Sequence, residues 1–203
     1  LFFITTLLMT AKTFAYTPQE GNATFSAGAS LSKTNFPNTP TGAKSPVLFG
    51  TGLVVNGDVN EHGSLEIGMY HNDKVFFRER DGQFIAERTK WLQMTMGYRH
   101  WLNSYLATAM DFYSTYSIGD PEVIHNDFLT NIDIDTSARD VTEYGFDFSA
   151  QAELWNQDKY SLIFDAKYSL SVTNKKQEYG NGYMVFLALK YLFKEKNPLP
   201  TVK

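Results

Sequence analysis

Residues 182–193 read Gly-Tyr-Met-Val-Phe-Leu-Ala-Leu-Lys-Tyr-Leu-Phe. The odd positions are Tyr183, Val185, Leu187, Leu189, Tyr191 and Phe193, all large and apolar, with an aromatic at each end. The even positions include Lys190. Successive side chains of a strand point to opposite faces, so this segment has one continuous apolar face and one face that carries a charge. Such a strand suits a wall between lipid and a protein-filled interior.

The same alternation runs through the rest of the chain, and no helical period is sustained after residue 20. A first strand is expected over about Asn22–Ser32, with Ala23, Phe25, Ala27, Ala29 and Leu31 on one face. A second spans about Pro46–Asn56 and sets Val47, Phe49, Leu53 and Val55 against Gly50 and Gly52. The third starts near Ser64, with Leu65, Ile67 and Met69 opposite Glu66, Gly68 and Tyr70, and runs to an Asp81-Gly82 hairpin turn. The fourth returns through Leu92, Met94, Met96 and Tyr98. In the fifth, Tyr105–Tyr116, facing Leu106, Met110 and Phe112 outward turns Asp111 inward. The sixth alternates Tyr144, Phe146, Phe148, Ala150, Ala152 and Leu154 with Gly145, Asp147, Ser149, Gln151 and Glu153. The seventh alternates Tyr160, Leu162, Phe164, Ala166, Tyr168 and Leu170 with residues that include Asp165 and Lys167. Residues 182–193 make the eighth.

Connection lengths add a second pattern. Gly57–Gly63, Leu102–Ser104 and Asn156–Asp158 are short, whereas Lys33–Ser45, Ser117–Asp140 and Val172–Asn181 are long. The connection after the third strand is tight at its tip but carried on extended arms. Short and long therefore alternate, which in an up-and-down barrel gathers the turns at one end and the loops at the other. The expected fold is all-β, an eight-stranded antiparallel up-and-down transmembrane barrel over residues 16–193. Ahead of it, Leu1–Thr10 is an apolar run followed by Thr13-Phe14-Ala15. Residues 1–15 are read as a secretory signal, cut short at its start and cleaved after Ala15. Residues 194–203 read as a flexible tail on the periplasmic side.

An eight-stranded barrel can also be a secreted carrier with its apolar face turned inward around a ligand. Three features favour the opposite polarity. The polar face is rich in glycine (Gly28, Gly50, Gly52, Gly68, Gly97, Gly145), which leaves space inside a barrel for long charged side chains. It carries both signs of charge, Glu66, Arg99, Asp111, Asp147, Glu153, Asp165, Lys167 and Lys190, which must pair if they are buried. Finally, Tyr98, Tyr116, Tyr144, Tyr160, Tyr168, Tyr183 and Tyr191 sit near the ends of the apolar rows, as interfacial girdles require. Aromatics are 15% of the chain, with 12 Tyr and 16 Phe. The mean hydropathy of −0.30 does not oppose a membrane barrel, since half its strand positions face inward.

The export segment, the eight amphipathic strands, the alternating connections and the ending Tyr191-Leu192-Phe193 resemble the small OmpA/OmpX-type outer-membrane barrels, over about Gly21–Phe193. The resemblance is architectural. It implies a bacterial outer-membrane location in contact with lipid and lipopolysaccharide, and a monomer. It also implies that Tyr191 and Phe193 serve as an assembly signal read by the barrel-insertion machinery.

Little chemistry is written in the residues. The absence of cysteine excludes disulfides and thiolate metal sites, and a net charge of −4 offers no basic patch for nucleic acid. His62, His71, His100 and His125 are scattered and form no ligand motif, so no metal or cofactor is expected. Asp120, Glu122, Asp127, Asp133, Asp135 and Asp140 read as a solvated acidic loop rather than a calcium site. A lipid A-modifying enzyme would need a His–Ser constellation; His100 and Ser104 flank a short turn, and Ser114 near Asp111 has no local His. The expectation is a non-enzymatic barrel with a filled polar interior. Its structural or surface-interaction role would be exercised through outside loops, the loop over 117–140 first among them.

Overall fold

The computed structural model describes residues 16–36, 45–128, 142–174 and 178–194. Within them the chain forms ten strands: β1 (Ala23–Thr34), β2 (Leu48–Asn60), β3 (Gly63–Arg80), β4 (Gln83–Trp101), β5 (Leu106–Ser117), β6 (Glu122–Asn126), β7 (Glu143–Gln157), β8 (Tyr160–Ser171), β9 (Glu178–Tyr179) and β10 (Gly182–Phe193). Eight of them, all but β6 and β9, pair antiparallel with their neighbours and close on themselves through β1 and β10. That seam runs the whole length of both strands, from Ala23 opposite Phe193 to Thr34 opposite Gly182. Closure leaves no free edge in the wall, so every backbone group there has a partner within the sheet.

Alternation decides which way each side chain points. Phe25, Leu53, Ile67, Met96, Phe112, Phe148, Phe164 and Leu187, one from each barrel strand, are exposed on the outer surface. Their polar neighbours Ser26, Glu66, Thr95, Asp111, Asp147, Asp165 and Lys190 are buried. The barrel is thus apolar outside and polar inside, the reverse of a soluble carrier.

The connections separate by length. Glu61-His62, residues 102–105 and Asp158-Lys159 make tight turns at one end, hereafter the turn end, where β1 begins and β10 stops. The first of these is shorter than its composition suggests. The β2–β3 ladder continues past Gly57 to Asn60 opposite Gly63, with an irregularity between Asp58 and Asn60. Gly57 and Asp58 read as turn residues, but Asp58 is buried at the barrel end.

At the other, loop end, β3 leaves β2 after His71 and β4 joins β5 only at Trp91. The hairpin between them stands free of the barrel and turns at Asp81-Gly82, both at positive φ (53° and 78°), as a type I′ turn demands. Two segments within the long connections over 117–140 and 172–181 add strands to this hairpin. β6 pairs with β4 through Ile85–Arg88, and β9 pairs with β3 at Phe77 and Arg78. The result is a small sheet in the order β6-β4-β3-β9. One face of it packs Phe36 flat on Phe77 with ring centroids 4.0 Å apart, with Val75, Phe84 and Ala86 alongside. The expected signal (1–15), the tail beyond Lys194 and residues 129–140 of the 117–140 loop lie outside the described residues.

Candidate functional site

The interior is a stack of side chains, with charges at the middle. Arg99 Nε donates to Glu66 at 2.6 Å and its Nη2 donates to Asp165 at 2.8 Å. Lys167 lies 3.4 Å from Asp111 and 3.9 Å from both Glu66 and Asp147. Gln93 Nε2 donates to the same Asp147 oxygen, Oδ2, at 2.8 Å. Asp111 and Asp147 are direct cross-strand partners, so Lys167 is placed where two like charges would otherwise face each other. All six charged groups are buried. Removing any one cation would strand carboxylates out of reach of water, which is far more costly than the pairing is favourable.

Next to this cluster sits an apolar layer of Val54, Tyr70, Ile163, Met184, Phe186 and Ala188. Tyr70 and Phe186 meet edge to face, with centroids 5.4 Å apart. The final strand's even positions, Met184, Phe186 and Ala188, were the available sign that the interior is not uniformly polar. The inward glycines make room for aromatic rings at some positions and for short polar side chains or neighbouring backbone at others. A Cβ on Gly52 or Gly68 would run into the Tyr70 ring and one on Gly145 into Tyr113, while Gly50 leaves space for Asn72 and Gly97 for Asp111.

Each end of the stack is closed by a lysine held between aromatic rings and a glutamate. At the loop end, Lys74 Nζ bonds Glu143 at 3.0 and 3.2 Å and lies 4.4 Å from the Trp91 ring centre and 4.8 Å from that of Phe76. Tyr113 donates its hydroxyl to the same Glu143 at 2.7 Å. A cavity of about 40 Å³ lies beside them, bordered by Asn72, Gln93 and Met184, room for a few water molecules. At the turn end, Lys190 pairs with Glu153, which also accepts from Asn156. The Lys190 ammonium lies 4.1 Å from the Tyr16 ring centre and 5.1 Å from that of Trp101. Lys74, Glu143, Asp58 and Tyr16 were not among the interior residues expected from the sequence; all four are buried.

On the outside, the seven tyrosines fall into two levels. Tyr98, Tyr160 and Tyr191 lie near the turn end, and Tyr116, Tyr144, Tyr168 and Tyr183 near the loop end. Strand pairing brings some together: Tyr160 with Tyr191 (5.1 Å between centroids), Tyr168 with Tyr183 (5.0 Å) and Tyr191 with Phe193 (4.7 Å). On β10, Tyr191 lies eight positions after Tyr183, roughly 26 Å along the strand and about 20 Å along the barrel axis at the tilt of such strands. That is the scale of the apolar band of an outer-membrane barrel.

No protein-family model matches the sequence, and neither does any curated protein. Solved structures do match in shape. OprG, an outer membrane protein from Pseudomonas aeruginosa, superposes with a TM-score of 0.58 at 9% identity, over 88% of this chain and 98% of that one. Ail, the attachment invasion locus protein of Yersinia pestis, was solved in complex with the heparin analogue sucrose octasulfate. It superposes with a TM-score of 0.52 at 15% identity, over 86% of this chain and 100% of Ail. The fold is that of the small OmpA/OmpX-type outer-membrane barrels.

The loop-end sheet extends beyond the eight-stranded wall. Its outer strand β6 is exposed throughout, with Val123 and Ile124 uncovered. β6 is fastened by His125, whose ring stacks on Phe84 at 4.4 Å and whose Nε2 lies 2.8 Å from Asp127. Asp127 N–H in turn donates to the Phe84 carbonyl at 3.1 Å. On β9, the Tyr179 hydroxyl is pushed above its ordinary range by burial and by Glu79 beside it. Among the other sequence candidates, His71 is exposed on the outer face of β3, and His100 is exposed one residue before the end of β4 with Ser104 in the turn that follows. The fold brings His62 to His100, with ring centroids 6.4 Å apart, a pairing that their sequence separation hid. Among the described residues, no three His, Asp or Glu side chains converge as metal ligands.

Proposed function

We propose that this chain is a non-enzymatic bacterial outer-membrane protein whose barrel is an anchor and whose loop-end sheet is a docking surface outside the cell. The observation that carries this reading is the inverted polarity of a closed barrel. Large apolar side chains cover the outer wall between two tyrosine levels, while paired charges fill the inside. A surface of that kind is too apolar for water and is suited to a bilayer. The filled interior argues for anchoring rather than conduction, because the lysine closures and the central ion pairs occupy the axis.

In this reading the barrel contacts lipid and lipopolysaccharide, stays monomeric, and reaches the membrane through recognition of Tyr191 and Phe193 by the insertion machinery. Among the described residues β6 has a sheet neighbour only in β4, and its other edge, flanked by Val123, Ile124 and Glu122, is a surface suited to an extended strand of a protein partner. The chain has no cysteine, which makes its topology directly measurable. A single cysteine at Val123 should react with a membrane-impermeant maleimide on intact cells. One at Leu102, exposed at the turn end, should react only after the outer membrane is permeabilised. Equal labelling of both in intact cells, or recovery of the protein from the soluble periplasmic fraction, would overturn the assignment. Lipid A that changes in mass when the protein is expressed would overturn the non-enzymatic part alone.

A further inference from the structure

We propose that the turn-end mouth of the barrel is an aromatic socket for Tyr16, and that residues 16–22 are a strap that locks the closing seam between β1 and β10. The proposal rests on the closed barrel and not on its membrane placement.

The chain ahead of β1 does not trail into solvent. Gly21, at φ 87°, turns it under the barrel, and Asn22 N–H bonds back to the Gln19 carbonyl at 3.0 Å. Backbone bonds then tie it to the end of β2: Gly21 N–H to the Asp58 carbonyl at 3.3 Å and Asp58 N–H to the Asn22 carbonyl at 2.9 Å. Tyr16 is only 4% exposed. Its ring lies 4.8 Å from that of Trp101 and under the Lys190 ammonium. Its hydroxyl donates to Asp58 Oδ2 at 2.5 Å, an oxygen that also accepts Gln19 N–H at 3.0 Å.

The socket is itself braced. Ser64 donates to the other Asp58 oxygen at 2.7 Å, and Trp101 Nε1 donates to Ser64 Oγ at 3.2 Å. Its walls therefore come from β2, β3, β4 and β10, with β7 reached through the Lys190–Glu153 pair. No two neighbouring strands can form it; it exists only once the barrel is closed. β1 and β10 are the first and last barrel strands, and their pairing completes the wall. A residue that precedes β1 and grips the side chain of Lys190 on β10 crosses that seam and resists its opening. Cleavage after Ala15 would leave Tyr16 as the first residue, free to enter the mouth.

The test uses the three tryptophans. A chain carrying Trp91→Phe and Trp155→Phe keeps Trp101 as the sole reporter at the socket. Tyr16→Ala in this background should raise acrylamide quenching of Trp101 several-fold. It should also lower the temperature at which the folded gel band converts to the unfolded one. Tyr16→Phe, which keeps the ring and loses the hydroxyl, should fall between. Deleting residues 16–20 should open the socket, and the peptide Tyr-Thr-Pro-Gln-Glu added in excess should restore Trp101 protection. Should Tyr16→Ala give no folded band, Asp58→Asn supplies the same two readouts with the ring in place. Unchanged quenching and an unchanged conversion temperature in these variants would overturn the proposal, as would a deleted chain that the peptide fails to protect.

Discussion

The two ends of the barrel are closed by the same chemistry and differ in where it comes from. Both use a lysine over aromatic rings and paired to a glutamate: Lys74 with Trp91, Phe76 and Glu143, and Lys190 with Trp101, Tyr16 and Glu153. The two tryptophans belong to β4 and the two glutamates to β7, in each case ten residues apart. An even spacing keeps both on the inner face of a strand, so two strands supply one half of each closure. The other half differs. At the loop end Lys74, Phe76 and Tyr113 all come from strands, and a water-sized cavity adjoins them. At the turn end the ring under the lysine and the donor to Asp58 come from Tyr16, which belongs to no strand. The loop end is therefore set by register alone, while the turn end requires a separate segment to be seated.

The largest effect should come from breaking what the two ends share, the ion cluster between them. Arg99→Met leaves Glu66 and Asp165 buried without their guanidinium partner, an expected loss of about 3–5 kcal/mol. Urea unfolding of the refolded barrel should show it, together with greater acrylamide access to both Trp91 and Trp101. A loss below about 1 kcal/mol would mean that water already reaches the cluster.

Removing one lysine at a time separates the two ends. Lys190→Met leaves Glu153 buried without its cation, with Asn156 still donating to it, and takes the charge from above Tyr16, so about 3 kcal/mol is expected. Lys74→Met should cost less, about 1–2 kcal/mol, because the cavity that borders Lys74 and Tyr113 admits water next to the vacated ammonium position and Tyr113 still donates to Glu143. Unfolding free energies of the two variants side by side test this, and equal losses would erase the distinction between a dry end and a wet one.

The physical reason one end was easier to read than the other lies in periodicity. Glu153 and Lys190 sit in unbroken alternating runs, so parity alone turns them inward with Glu66, Arg99, Asp111, Asp147, Asp165 and Lys167, where the structure places them. The wall and its closure were legible for the same reason. Asp58 was hidden because Gly57-Asp58 has the composition of a turn, and only its bonds to Ser64 and Tyr16 show why the strand continues. Tyr16 has no period at all; its position depends on a socket built from strands that follow it by up to 174 residues in sequence. β6 and β9 were hidden for a related reason. Segments of five and two residues carry too little alternation to announce themselves, and they are strands only because the free hairpin edges of β4 and β3 accept them.

The smallest effect is the most specific to the turn end. Tyr16→Phe removes one hydroxyl that donates to a buried carboxylate, and about 1 kcal/mol should be lost at neutral pH. Alkaline pH should then reverse the order of the two proteins. Burial, and after it the hydrogen bond to Asp58, hold the Tyr16 hydroxyl far above the ordinary tyrosine range. Below about pH 10, the ordinary tyrosine value, both folded and unfolded states keep this proton and its contribution is fully present. Above it, the unfolded chain ionises while the folded barrel does not, so the contribution declines by about 1.4 kcal/mol per pH unit. The Phe variant lacks this group and its stability should fall less steeply by one proton. Urea midpoints of the two proteins should therefore converge as pH rises past 10 and cross about one unit higher. Parallel curves throughout would show that Tyr16 is solvated in the folded state, and the turn end would then be closed, like the loop end, by its strands alone.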